Sequence, residues 1–198
     1  MKKYIGLALA MLILMMFTGC NDEGKVKQGR TIAFDKEKGL VTFIEDKSLV
    51  MGKPDYLTAT SLPPSVFLIP KDKNEMGGDP VVGQRMKLDT VKNSVTIFDT
   101  STQQFKEIPF TLIEKKENIA KDDPLVKGKK YPIVDRTAKT IAIYSSRLKT
   151  YVSFSLPIEY FTLPDETWAA GDEIRIYYKE EGKSLRFMNI TKTDIFKK

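Results

Sequence analysis

The chain has 198 residues, with 32 Lys or Arg against 26 Asp or Glu, no histidine and one cysteine. Without histidine it lacks the commonest general base and the commonest zinc ligand, and one cysteine permits no internal disulfide. A formal charge of +6 in a mixed-sign sequence describes a soluble surface and gives no reason to expect a nucleic-acid partner; no cofactor is expected, and any metal would be a hard ion held by oxygen.

In chain order, Lys2 and Lys3 precede an apolar run over residues 4–17. As a helix that run reaches roughly 21 Å, short of the roughly 30 Å hydrocarbon core of a bilayer, so it suits the apolar core of a signal peptide better than a membrane span. The run ends in Phe17-Thr18-Gly19-Cys20, which resembles the lipobox of bacterial lipoproteins, with Phe17 where leucine is usual. The resemblance implies a signal peptide over 1–19, cleavage between Gly19 and Cys20, a thioether-linked lipid on Cys20 and an acylated (palmitate-type) amine. Each buried CH₂ adds about 0.8 kcal/mol, so several acyl chains anchor stably where one is marginal. Such a protein faces the periplasm from the cell envelope. Asn21 before Asp22 favours the outer over the inner membrane by the sorting rule of enteric lipoproteins. Removing Lys2 and Lys3 leaves 30 basic against 26 acidic residues, a formal +4.

From the linker 20–28 onward, short runs rich in Val, Ile, Thr, Phe and Tyr alternate with Gly, Pro, Asp and Asn, the pattern of an all-β protein. The two halves share an order of motifs. IAFDKEKGLVTFIE (32–45) resembles PIVDRTAKTIAIYS (132–145), and YLTATSLP (56–63) resembles YVSFSLP (151–157). VFLIP (66–70) resembles YFTLP (160–164), GQRMKLD (83–89) resembles GDEIRIY (171–177), and KNSVTIFD (92–99) resembles GKSLRFMN (182–189). This predicts two tandem related small β-barrel-like modules, SH3-like or OB-like, over 29–113 and 128–198, joined by a linker over 114–127. Modules this small gain too little from their own cores, so they are expected to pack together, with Trp168, Tyr160, Phe161 and Phe187 in the second core or the junction. Alternation predicts Met86 and Leu88 facing in while Arg85 and Lys87 face out, and Ile174, Ile176 and Tyr178 opposing Arg175 and Tyr177.

The chemistry-bearing motifs are weak. Ser146-Arg147-Leu148-Lys149 has the S-x-x-K spacing of penicillin-binding proteins and β-lactamases, but it lies between two predicted strands where that chemistry needs a helix start. Asp72, Asn74 and Gly77 partly match a calcium loop, while Met76 and Gly83 stand where side-chain oxygens are needed. Asp165, Glu166, Asp172 and Glu173 cluster near Trp168, as a glycosidase pair would. Arg175, Tyr177, Arg186 and Met188 are expected along one outer face of the last hairpin. With Trp168, the residues Arg175, Tyr177 and Arg186 are the binding candidates, for a glycan or an envelope protein. The reading is a membrane-anchored binding or scaffolding module, not an enzyme. Its alternative is a histidine-independent hydrolase using carboxylates or a Ser–Lys pair, which would need a deep pocket with those groups converging.

Overall fold

A computed structural model of the chain describes residues 23–48, 50 and 53–193. The signal segment, the cleavage point and Cys20 lie outside the described residues, as do the last five positions of the second module. The described residues form an all-β protein whose longest helical pieces are short 3-10 turns.

The strands come in hairpins, and five of the hairpins share one turn. The pairs are β1 (Lys25–Asp35) with β2 (Leu40–Glu45), β4 (Arg85–Asp89) with β5 (Ser94–Asp99), and β5 with β6 (Gln104–Pro109). They continue with β8 (Ile133–Asp135) and β9 (Thr140–Ser145), then β9 and β10 (Thr150–Ser155). In all five, four loop residues separate the last pair, and the fourth has positive φ: Gly39, Asn93, Gln103, Lys139 and Lys149. The residue before each loop is Asp35, Asp89, Asp99, Asp135 or Ser145. Its side-chain oxygen accepts from a backbone N–H two or three residues on, as from Lys38, Lys92, Ser101, Ala138 and Leu148. A short acceptor that satisfies the turn's own donors explains why Asp recurs there and why Lys and Gln are held in a region that glycine prefers. These backbone donors, with Lys38 and Lys87 ammonium groups nearby, hold the Asp35 and Asp89 carboxyls below the usual range, Asp89 at about 2.

Three antiparallel sheets result. The first has the order β12-β11-β1-β2-β3, with β3 at Ser65–Leu68, β11 at Glu173–Tyr178 and β12 at Ser184–Asn189. The second is β7-β10-β9-β8, with β7 at Thr111–Lys116, and the third is β4-β5-β6. The two predicted halves therefore do not each make a sheet. The last hairpin, β11–β12, is paired to β1 from the first half, and β7, which straddles the predicted 113/114 boundary, is paired to β10 of the second. The β4-β5-β6 sheet in turn packs on β9 and β10 through Val95, Ile97, Ile108, Ile141, Ile143 and Phe154. Each half lends its second hairpin to the other.

Where barrel-like modules were expected, none of the three antiparallel sheets closes into a barrel. The five-stranded sheet comes nearest. It curls around Phe43, Phe67, Ile174, Ile176, Tyr178 and Phe187, and its edge strands touch where the Leu68 N–H donates to the Gly182 carbonyl at 2.8 Å. One bridge, Leu68 to Lys183, is no ladder, so the rim stays open. Ring contacts fill the interior, with Phe67 and Tyr178 centroids 5.0 Å apart. Trp168 and Phe161, carried on 3-10 turns Asp165–Trp168 and Ile158–Thr162, close the core between the other two sheets. A third cluster of Ile32, Ile44, Tyr56, Met86 and Phe98 joins the five-stranded sheet to β4 and β5. Bulges aim two of its members: Ile32 is the extra residue in β1, and Met86 the extra residue in β4. The chain crosses itself at Gly83 and Gly171, two glycines matched between the halves. A Cβ on Gly171 would stand 1.9 Å from the Thr31 carbonyl oxygen, and one on Gly83 2.4 Å from that of Ala169.

Candidate functional site

The outer face of the last hairpin is built as the alternation of its residues requires. Arg175 lies opposite Met188 and Tyr177 opposite Arg186, while their neighbours Ile174, Ile176 and Phe187 are buried. These four, with Val26, Glu75 and Leu185, line a depression of about 500 Å³. Both arginines there are already engaged. Arg186 makes a bidentate pair with Glu75, whose carboxyl it holds below the ordinary range. Arg175 donates from Nε and Nη2 to Gln28 Oε1 at 3.1 and 2.8 Å, and Gln28 donates on to Glu173 at 2.8 Å. Trp168 is not with them. Its ring is fully buried in the core between the other two sheets, so it packs and does not face a partner.

The remaining motifs resolve into structure. Ser146 to Lys149 is the β9–β10 turn, not the start of a helix. In the loop 71–82, Asp72 caps the 3-10 turn Lys73–Glu75 by accepting from the Asn74 N–H, Glu75 is taken by Arg186, and Asp79 pairs with Lys36 at 2.6 Å. The loop is docked on β12, where the Gly77 N–H donates to the Phe187 carbonyl at 2.8 Å. The four clustered carboxylates part company. Asp165 pairs with Arg136 at 2.7 Å, and Glu173 accepts from Gln28. Asp172 is buried, accepting from the Val81 N–H and from Asn189 Nδ2 at 2.9 and 2.7 Å. Among the described residues no group of three or more Asp, Glu, Cys or His is arranged to hold a metal ion.

A second cavity, which the sequence did not signal, opens where the three sheets meet. This cleft has a volume of about 1040 Å³. Arg30 from β1 and Arg85 from β4 form its floor, Tyr56 from the segment between β2 and β3 one wall, and Arg147 from the β9–β10 turn its rim. Met86, Leu88, Ile143 and Val152 supply apolar wall. The β4 bulge decides the arginine geometry. It frees the Arg85 and Met86 carbonyls, and Arg30 Nη1 donates to both, at 3.1 and 2.8 Å. Arg85 was expected to face solvent. The bulge re-aims it, and it is half-buried with Nε donating to the Trp168 carbonyl at 2.9 Å. Burial, and then the like charge of Arg30, push the Arg85 guanidinium down to about 10, still protonated at neutral pH.

Charge in the cleft is one-sided. Its ionisable lining is Arg30, Arg85, Lys87, Lys115 and Arg147 against only Asp55 and Glu117, besides the neutral Tyr56. Lys115 is taken by Glu117 at 2.6 Å and Lys87 by Asp89, outside the cleft, at 3.1 Å. Among the described residues no carboxylate lies within ion-pair distance of Arg30, Arg85 or Arg147. Two buried atoms at the floor also lack a hydrogen-bond partner in the chain, Arg30 Nε and the Tyr56 hydroxyl. The Arg30 guanidinium lies 4.4 Å from the Tyr56 ring centroid. Burial pushes that phenol up to about 12, so it is a neutral donor at physiological pH. Alternation in sequence points Arg85 outward, and the bulge that turns it inward is visible only in the strand pairing. Nothing local says that two strands about fifty residues apart share a cavity.

Comparison with known proteins gives one result. No curated protein and no solved structure matches the chain. A family model described as a domain of unknown function (DUF4881) matches residues 22–198, nearly all of the chain beyond the predicted signal peptide, and the chain belongs to that family.

Proposed function

We propose that the mature protein is an acylated lipoprotein of the bacterial cell envelope, held to the membrane through Cys20, and that it works by binding rather than by catalysis. The observation that carries the binding half is the inter-sheet cleft. What converges there is a set of fixed cations and one neutral hydroxyl, against an apolar wall. The hydrolase alternative needs two free carboxylates or a serine–lysine pair facing a pocket, and of the four candidate carboxylates Asp165, Asp172 and Glu173 are each tied to a structural partner. The anchoring half rests on residues 1–20, whose n-region, apolar run and Gly19-Cys20 junction resemble lipoprotein signals.

The two halves are read as related units that exchange their second hairpins. Two features support this: the order of the hairpins β4–β5 and β11–β12 in the two halves, and the meeting of Gly83 and Gly171 at one crossing.

The direct test is mass spectrometry and membrane partitioning of the native protein beside a Cys20→Ala variant. A mature chain that begins at Cys20 and carries acyl mass, with the variant uncut and lipid-free, is the expected result. A native chain cut elsewhere and released without lipid overturns the anchor.

A further inference from the structure

We propose that the cleft between the three sheets binds a small organic anion, whose carboxylate or phosphate group is held by Arg30 and Arg85 on the floor and Arg147 at the rim, with its apolar body against Leu57, Leu88 and Leu148. This rests on the binding reading above and names the ligand class at that site.

The first argument is charge. Arg30 and Arg85 are brought together by the fold, and no carboxylate is supplied to either among the described residues. A desolvated cation is costly unless paired, and these two also repel each other. The protein has the means to neutralise arginines, as it does with Glu75 for Arg186 on the outer face. At the cleft floor it does not, which leaves the compensating charge to come from outside.

The second argument is hydrogen bonding. Arg30 Nε and the Tyr56 hydroxyl are buried at the cleft with no well-formed hydrogen bond in the chain, the hydroxyl having only the Arg30 guanidinium beside it. Buried polar groups are satisfied in nearly all cases, and an orphaned pair beside two cations fits an oxyanion with several acceptor lone pairs.

The third argument is preorganisation. Arg30 is pinned by two carbonyls and Arg85 by one, so their orientations are fixed before any ligand arrives. Little side-chain entropy then remains to be lost on binding. The open apolar lining distinguishes an organic anion from a bare inorganic one, because a simple ion would leave the exposed Leu57 and Leu148 uncovered.

The experiment is isothermal titration calorimetry on the full chain at fixed ionic strength, with phenyl phosphate and phenylacetate as probes and phenol and inorganic phosphate as controls. At least one of the two organic anions is expected to bind at a single site, phenol not at all, and inorganic phosphate at least about tenfold more weakly, the effect of roughly 1.4 kcal/mol. Arg85→Lys keeps the charge but loses the planar fork, and it should weaken binding about tenfold. Arg147→Ala, on an exposed turn where folding is not at issue, should weaken it several-fold. Lys121→Ala removes one positive charge elsewhere and should change nothing. No binding of either organic anion, or binding undiminished in both arginine variants, overturns the proposal. Inorganic phosphate binding as tightly as the better organic anion overturns the organic part of it. The lipid-free Cys20→Ala chain should titrate like the native one, so a failed anchor and a failed anion site are read separately.

Discussion

Two arginine-bearing surfaces of this protein look alike in sequence and differ in kind. On the outer face of β11–β12, Arg175 and Arg186 sit on regular strands in the positions alternation gives them, and each is satisfied by a neighbour, Gln28 or Glu75. In the cleft, Arg85 sits beside a break in register, and Arg30 and Arg85 hold backbone carbonyls and face no carboxylate. A cation with its partner in place stabilises the fold and asks for nothing more. One held in position without a partner imposes a cost on the free protein that only a ligand, or water, can relieve. The contrast separates the two surfaces where residue type alone could not.

The largest change is expected from Trp168→Ala. This ring closes the core behind Arg85, and its loss should destabilise the chain by about 3–5 kcal/mol, as emptying a large aromatic site does. Denaturant unfolding should show a lower midpoint, and the cleft should lose anion binding even where the protein remains folded. The outer face, on the far sheet, should keep its Arg186–Glu75 pair. A loss well below that range would mean that the core behind the cleft relaxes to fill the space.

Tyr56→Phe sharpens the contrast further. If the buried hydroxyl has no partner in the free protein, its removal should stabilise the fold by on the order of 1 kcal/mol while weakening anion binding. Opposite signs for stability and binding are the mark of a group kept for a ligand. A variant less stable than the native protein would show that the hydroxyl already has a partner.

The smallest effect belongs to the outer face and shows itself through pH. The carboxyls of Glu75, Asp35, Asp89 and Asp99 are held below their ordinary values, by Arg186 for Glu75 and by turn donors for the three Asp. A depressed folded pKa means stability that is present above the unfolded value of roughly 4 and is lost as pH falls through the folded one, about 2 for Asp89. Thermal unfolding between pH 7 and pH 2 should therefore show the midpoint flat at first and then falling in acid. Glu75→Gln should leave the pH 7 midpoint unresolved from the native one and make the acid fall shallower. A clear loss at pH 7 would show that the exposed pair matters more to the fold than its solvent exposure implies.

Several features were legible in the chain because they depend on neighbours in sequence. The alternation of Ile174, Ile176 and Tyr178 with Arg175 and Tyr177 fixes which face of β11 is buried. Asp35 and Asp135, four residues before Gly39 and Lys139, mark the matched turns. The same spacing recurs at Asp89–Asn93 and Asp99–Gln103, with Asn and Gln in the left-handed position that Gly takes at 39. Trp168 is buried in the core between two sheets, and an aromatic beside carboxylates in sequence carries no mark of that burial.

Neighbouring residues alone set that the chain is built from β-hairpins, where several of them turn, and which side of a regular strand such as β11 seeks the core. All of this follows from the two-residue period of a strand and from turn chemistry within five residues. Only the tertiary structure decided which hairpin pairs with which. That choice exchanges β11–β12 for β4–β5, leaves the sheets open where barrels were expected, and brings Arg30, Tyr56, Arg85 and Arg147 to one cleft. Hydrophobic burial is nondirectional, so many pairings of similar hairpins satisfy the same pattern of apolar residues. What selects one is packing across the junction, at crossings as tight as Gly83 on Gly171, and that information is spread over the whole chain.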